Sequence, residues 1–173
     1  DAGNIEGQAA RAYWPMLLGS AFRRDREIGG INAMLNYGYT VLRAIVARQV
    51  MAAGLHPGIS LHHANEGNSM RLVDDLMEPF RPLVDAWVRR LAETGMETVD
   101  ATSKRTLALL GARSLHTERG VSPVAIVAQR LAISLAKVYE DPTLTLDLPP
   151  TDKGSLASIW DEPDVEPSAE EED

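Results

Sequence analysis

The chain has 173 residues, no cysteine and a formal net charge of −8. That length suits one domain with a sizeable core, and the lack of thiols excludes disulfides, a cysteine nucleophile and thiolate zinc sites. No apolar run approaches the ~20 residues needed to span a bilayer, which predicts a soluble, intracellular protein with no membrane partner.

The charge is unevenly spread. Residues 1–140 carry 16 Lys and Arg against 14 Asp and Glu, whereas residues 141–173 carry one against 11. The body is therefore compatible with a polyanionic partner, although the sum suggests otherwise. The chain opens on Asp1 rather than methionine, as a fragment or a processed piece would.

The predicted elements are helical almost throughout. A first helix covers about residues 4–18, with Asn4 as N-cap and Pro15 as a point of kinking or early ending. Gly29-Gly30 introduce a long helix to about Ala53, closed by Gly54 and barred from continuing by Pro57. Residues 55–67 form a loop rich in Gly, His and Asn. Helices follow over about 69–78 and 82–93, with Pro79 and Pro82 at the corner between them, and over 101–112. The last helix opens at Ser122-Pro123, with Val124, Val127, Leu131, Leu135 and Val138 as its buried stripe. Residues 144–148 alternate like a strand but are too short to found a sheet. The expected class is all-α, a multi-helix domain over 1–149 followed by an acidic disordered tail over 150–173. Within that tail Leu156, Ile159 and Trp160 form a small apolar cluster able to dock locally.

Four features break local rules. The long helix is apolar around most of its circumference, yet Asn32, Asn36, Thr40 and Arg43 form a polar stripe on it and Gly38 sits inside it. The stripe is either a satisfied internal network, with Gly38 at a close helix crossing, or the wall of a wet cleft. His62 and His63 stand side by side in an irregular segment, as free surface groups or as ligands. Asp74, Asp75 and Glu78 lie at helical spacing near one end of one face, where they repel unless a cation or an arginine compensates. Their alternative is ordinary surface pairing, with Arg81, Asp85 and Arg89 as an i, i+4 ladder. Glu6 sits among small residues that allow another helix to approach. Glu6, His63 and Glu78 together supply one imidazole and two carboxylates, a mixed set suited to Mg²⁺ or Mn²⁺.

Four segments then stand in a telling order: Glu6-Gly7-Gln8-Ala9-Ala10-Arg11-Ala12-Tyr13-Trp14, Asn36-Tyr37-Gly38-Tyr39, Gly54-Leu55-His56-Pro57, and His63 through Asp74-Asp75-Leu76-Met77-Glu78-Pro79-Phe80-Arg81-Pro82. Over about residues 4–149 the chain resembles the CRISPR-associated integrase (endonuclease) family, the large subunit of the spacer-adaptation complex, most closely in its type II flavour. The resemblance covers the helical C-terminal catalytic domain, and the family's N-terminal β-rich domain is absent from this chain.

The resemblance implies a divalent-metal site of Glu6, His63 and Glu78, with Mg²⁺ or Mn²⁺ as cofactor and Asp75 supporting the ligands. The spacing of the family motif selects His63 over His62. It also implies joining of spacer 3′-OH ends to the repeat by transesterification, and cleavage when water attacks instead. The implied partners are DNA (spacer precursor and CRISPR repeat), a second copy in a homodimer and the small companion subunit, in a prokaryotic cytoplasm. Arg11, Arg23, Arg24 and Arg81 are the leading candidates for DNA contact, with Arg26, Arg43, Arg89 and Arg90 behind them. Two other readings compete: an inert isolated domain that binds DNA or a partner, and a zinc hydrolase using His56, His62 and His63, which has no recognised zinc spacing.

Overall fold

The computed structural model describes residues 5–59, 61 and 68–159, without the side chains of Ile5, Glu6 and Ala10. Its elements are α1 (Ile5–Leu18), α2 (Ile31–Ala52), α3 (Arg71–Met77), α4 (Arg81–Glu93), α5 (Ala101–Ala108), β1 (Ser114–Thr117), β2 (Gly120–Pro123), α6 (Val124–Glu140) and α7 (Lys153–Ser158). None of these helices is long and apolar enough to cross a membrane.

The central element is α2, which packs against α3, α4, α5 and α6. It places Met34, Leu35, Leu42, Val46 and Val50 in the core opposite Leu83, Val84, Trp87 and Val88 of α4. A helix buried on several sides needs a neighbour able to approach its backbone, and Gly38 provides this. A Cβ at that position would stand 2.6 Å from Val84 Cγ1, so the crossing of α2 and α4 depends on its absence. The predicted stop is also present. Gly54 has φ +76°, its N–H bonds the carbonyl of Met51, and the N–H of Leu55 bonds that of Val50, a Schellman closure.

Several expectations are corrected. Pro15 lies within α1 and does not end it. The corner after Met77 is a 3-10 turn over Glu78–Phe80, and a second 3-10 turn over Leu109–Ala112 replaces the end of the fifth helix. The all-α expectation gives way at 114–123, where β1 and β2 form an antiparallel hairpin pairing Ser114 with Pro123 and Thr117 with Gly120. The last long helix begins one residue later than predicted, after Pro123, because Ser122 belongs to β2. Residues 144–148 form no strand. Instead the Asp147 N–H donates to Ser134 Oγ at 2.9 Å, laying the segment along α6.

The expected boundary at 149/150 falls inside the packed body. Ile159 is fully buried, α7 packs on β1 and α4, and the N–H of His116 donates to Ser158 Oγ at 2.9 Å. A side chain that would be apolar surface on a tail gains a core place once the hairpin offers it a wall. The remainder of the tail, residues 160–173, lies outside the described residues, as does Asn4.

Candidate metal centre and its surroundings

The acidic run at the α3–α4 corner does not act as one cluster. Asp74 faces α2, taking Arg43 Nε at 2.6 Å and Arg43 Nη2 at 3.0 Å, with Asn68 Nδ2 at 2.6 Å. Asp75 Oδ2 accepts the N–H of Leu61 at 2.8 Å. Glu78 Oε1 accepts Arg81 Nη1 at 2.7 Å. Each carboxylate thus has its own donor, which removes the repulsion that their spacing implies. Pro79 and Pro82 hold the corner through the 3-10 turn, and Phe80 is fully buried beneath it. Glu78 therefore stands on a rigid base while its side chain remains 48% exposed.

Of the expected ligands, only the Glu78 side chain is described. Glu6 lies in the first turn of α1, its side chain outside the described set, and His62 and His63 lie in the 62–67 segment outside it. Among the described residues no group of three His, Asp or Glu side chains is close enough to hold a metal ion. His56, part of the zinc alternative, accepts the N–H of Gly58 on Nδ1 at 3.2 Å.

The polar stripe of α2 resolves as an internal network at its start. Asn32 is 5% exposed; its Oδ1 accepts Arg24 Nη1 at 3.0 Å and the N–H of Asp25 at 2.9 Å. Its Nδ2 donates to the carbonyl of Arg23 at 3.0 Å. Asn36 takes Arg24 Nη2 at 2.7 Å and donates to the carbonyl of Arg26 at 3.0 Å. The two asparagines thereby moor the 23–26 loop on α2, with the Arg24 guanidinium as the peg.

Arg24, one of the DNA-contact candidates, braces this loop. It is committed to Asn32 and Asn36 and stands 5.9 Å from the Trp14 ring and 5.8 Å from that of Tyr39. Arg43 is likewise committed to Asp74. Arg11 and Arg23 are exposed and, with Trp14, Pro15, Phe22 and Arg24, line an open recess of about 600 Å³.

The expected Arg81–Asp85–Arg89 ladder is absent. Arg81 pairs with Glu78 and stacks over the Tyr39 ring at 4.6 Å, whereas Arg89 pairs with Glu93 at 3.0 Å. Asp85 turns inward. It is 4% exposed, accepting the Tyr13 hydroxyl on Oδ2 at 2.7 Å and the Tyr39 hydroxyl on Oδ1. Burial pushes its carboxyl above the usual range, against the pull of the two hydroxyls and of Arg81 and Arg24. Both phenols are raised as well, by burial first and then by the Asp85 charge. Sequence reasoning missed this constellation. Its one legible sign is that Asp85 falls between the buried positions Val84, Trp87 and Val88 of an amphipathic helix.

The chain is similar to known proteins over much of its length. The family described as CRISPR associated protein Cas1 matches residues 2–113. The CRISPR-associated endonuclease Cas1 of Neisseria meningitidis serogroup C is 44% identical over 102 residues, covering 59% of this chain and 33% of that protein. The CRISPR-associated endonuclease Cas1 2 of Pyrobaculum aerophilum is 36% identical over 136 residues, covering 76% of this chain and 46% of that protein. Among solved structures, a casposase bound to integration product superposes with a TM-score of 0.68 at 26% identity, over 83% of this chain and 48% of that one. The chain thus spans less than half the length of each of these relatives.

Proposed function

The chain belongs to the CRISPR-associated Cas1 family, and from that premise we propose that its helical body is the catalytic domain of a divalent-metal-dependent DNA endonuclease and integrase of CRISPR adaptation. Residues 1–149 are the unit that carries this activity, with α7 completing its packing. Glu6, His63 and Glu78 hold Mg²⁺ or Mn²⁺. The observation that carries the reading is Glu78, a half-exposed carboxylate on a rigid corner whose counter-charge is a single arginine.

The donor set fits such an ion. Carboxylate oxygens with one imidazole are the hard and borderline ligands that Mg²⁺ and Mn²⁺ accept. Because the Glu78–Arg81 pair is partly exposed, Glu78 would give up only a weak contact to hold an ion, with no buried charge left unpaired. Asp75 supports the site indirectly. By holding the N–H of Leu61 it anchors the chain two residues before His63, a separation of at most ~7 Å of extended backbone.

A bound ion supplies Lewis-acid stabilisation of the scissile phosphate and lowers the pKa of the attacking hydroxyl. The chain's own groups bind and orient. Arg81 would be placed to take a phosphate oxygen beside the site when Glu78 holds the ion. Arg11 and Arg23, on the exposed recess, take backbone phosphates of the DNA without regard to sequence. When the hydroxyl is the 3′-OH of a spacer end, transesterification joins spacer to repeat; when it is water, the strand is cut. Spacer precursor and repeat DNA are the partners, together with a second copy of the protein and the small companion subunit. The superposed casposase is bound to an integration product, which supports DNA as the partner of this fold.

A second reading has its own observation. The chain covers only 33–48% of these relatives, and in this reading its helical body binds DNA or a partner without catalysing. Calorimetric titration with Mn²⁺ separates the two. Micromolar binding lost in Glu6→Ala and His63→Ala supports the formed centre; no binding by the unaltered chain overturns it.

A further inference from the structure

Asp85 is the buried charged side chain among the described residues, and nothing in the proposed chemistry uses it. A carboxylate is expensive to remove from water unless its lone pairs are taken by donors. Here the donors come from two other helices, Tyr13 on α1 and Tyr39 on α2, so one side chain of α4 ties three helices together. The contacts continue outward. The face of Tyr39 carries the Arg81 guanidinium at 4.6 Å, and Arg81 Nη1 holds Glu78 at 2.7 Å. In the other direction Tyr13 stands seven residues, two helical turns or about 10.5 Å of rise, after Glu6 on the same helix.

We propose that the Tyr13–Asp85–Tyr39 clamp is a positioning device that docks α1 on α4 and so sets the separation of Glu6 from Glu78 for cation binding. This rests on the metal-centre reading above. The clamp is well placed for that task because the other described side chains of α1 are at most partly buried. Met16 is 84% exposed, and no described side chain of α1 belongs to the fully buried set. Trp14 and Leu18 pack against the core from the C-terminal half of the helix, and the Trp14 ring meets Phe22 of the following loop at 5.9 Å. Those contacts are apolar and non-directional, whereas Tyr13 bonds a fixed atom of α4. A displacement at Tyr13 is carried along a stiff helix to Glu6.

The test is Tyr13→Phe, which removes one oxygen from a residue that is 38% exposed and leaves its ring packing in place. Two readouts are taken on the full chain. Hydrogen exchange across α1 is expected to rise about tenfold, with α4 and α6 unchanged. Mn²⁺ affinity by calorimetry is expected to fall about tenfold, the scale of a lost supporting hydrogen bond at a metal site. Asp85→Asn, which keeps an oxygen acceptor, should fall between Tyr13→Phe and the unaltered chain in both. Unchanged exchange in α1 overturns the proposal, since the core packing of Trp14 and Leu18 would then suffice to dock it. Faster exchange with unchanged Mn²⁺ affinity also overturns it, because the docking would not reach the ligands. If the unaltered chain binds no Mn²⁺, the metal-centre reading fails, and the link from clamp to ligands fails with it whatever the exchange shows.

Discussion

The N-terminal end of α4 pairs Arg81 with Glu78 at 2.7 Å; its C-terminal end pairs Arg89 with Glu93 at 3.0 Å, with Arg90 at 3.5 Å. By spacing the pairs are equivalent, three or four residues apart on one helix, each worth tenths of a kcal/mol where exposed. What lies behind them differs. Arg81 rests on Tyr39, which is fastened to buried Asp85, and Glu78 stands on a proline corner above Phe80. Arg89 and Arg90 are 51% and 59% exposed and make no described ring contact. The contrast teaches that similar short-range ion pairs on one helix differ mainly in the rigid groups that orient them.

The sharpest way to break the comparison is to neutralise the acid at each end. Glu78→Gln is expected to lower Mn²⁺-dependent strand transfer and branched-DNA cleavage by more than about 100-fold, the scale of losing a transition-state electrostatic partner. Glu93→Gln should leave both rates within error. Equal losses would show that the two ends are alike.

Next in size is the crossing on which the N-terminal end is built. Gly38→Ala puts a methyl 2.6 Å from Val84, a β-branched side chain with little freedom to move aside. Overpacking of about 1–3 kcal/mol, less the ~1 kcal/mol by which alanine favours a helix, leaves a net loss of up to about 2 kcal/mol, read by thermal unfolding. A rise in melting temperature would mean that α2 and α4 do not need this approach.

A smaller effect is expected on DNA affinity. Arg81→Ala should reduce the slope of log affinity against log salt by about one, as for a single lost phosphate contact, while Arg89→Ala leaves the slope unchanged. Equal slopes in both variants would remove Arg81 from the interface.

The smallest is a pH slope. Asp85 is raised above the usual carboxylate range by burial, opposed by Tyr39, Tyr13, Arg81 and Arg24 facing it. Its contribution to stability is therefore full below its unfolded value of about 3.9 and is lost as pH rises through the folded value. Melting curves from about pH 4 to about pH 7 should show the unaltered chain losing stability relative to Asp85→Asn as pH increases. A difference that stays flat would show that Asp85 ionises in the fold as it does in water.

The helical elements were legible because their signals are local. Gly54 and Pro57 closed α2, and four residues of the predicted stripe, Val124, Val127, Leu131 and Leu135, are buried, while Val138 at its end is only partly so. Gly38 as the point of a close crossing was also legible, as one of two readings of the broken helix rule. The hairpin was not. Its four-residue strands contain Ser, His and Thr, and only the buried wall of Leu115 and Ile159 gives them a face. At the site, Glu78 and its corner could be read from Asp74 through Pro82, but the donor serving each carboxylate could not. Arg43 reaches Asp74 from 31 residues away, and no periodicity reports that.

By itself, then, the sequence determined a cysteine-free helical body, its family, and the residue types that the proposed metal centre calls for, because composition, turn chemistry and motif spacing are properties of the chain. The tertiary structure decided which charges are free to act. Arg24 became a peg in a loop and Asp85 a buried clamp between two tyrosines, whereas Glu78 and Arg81 stayed at the surface. Charge and spacing are the same for a buried as for an exposed ionisable group. Only the packing of three helices determines which lose water and must find partners, and which remain for a ligand.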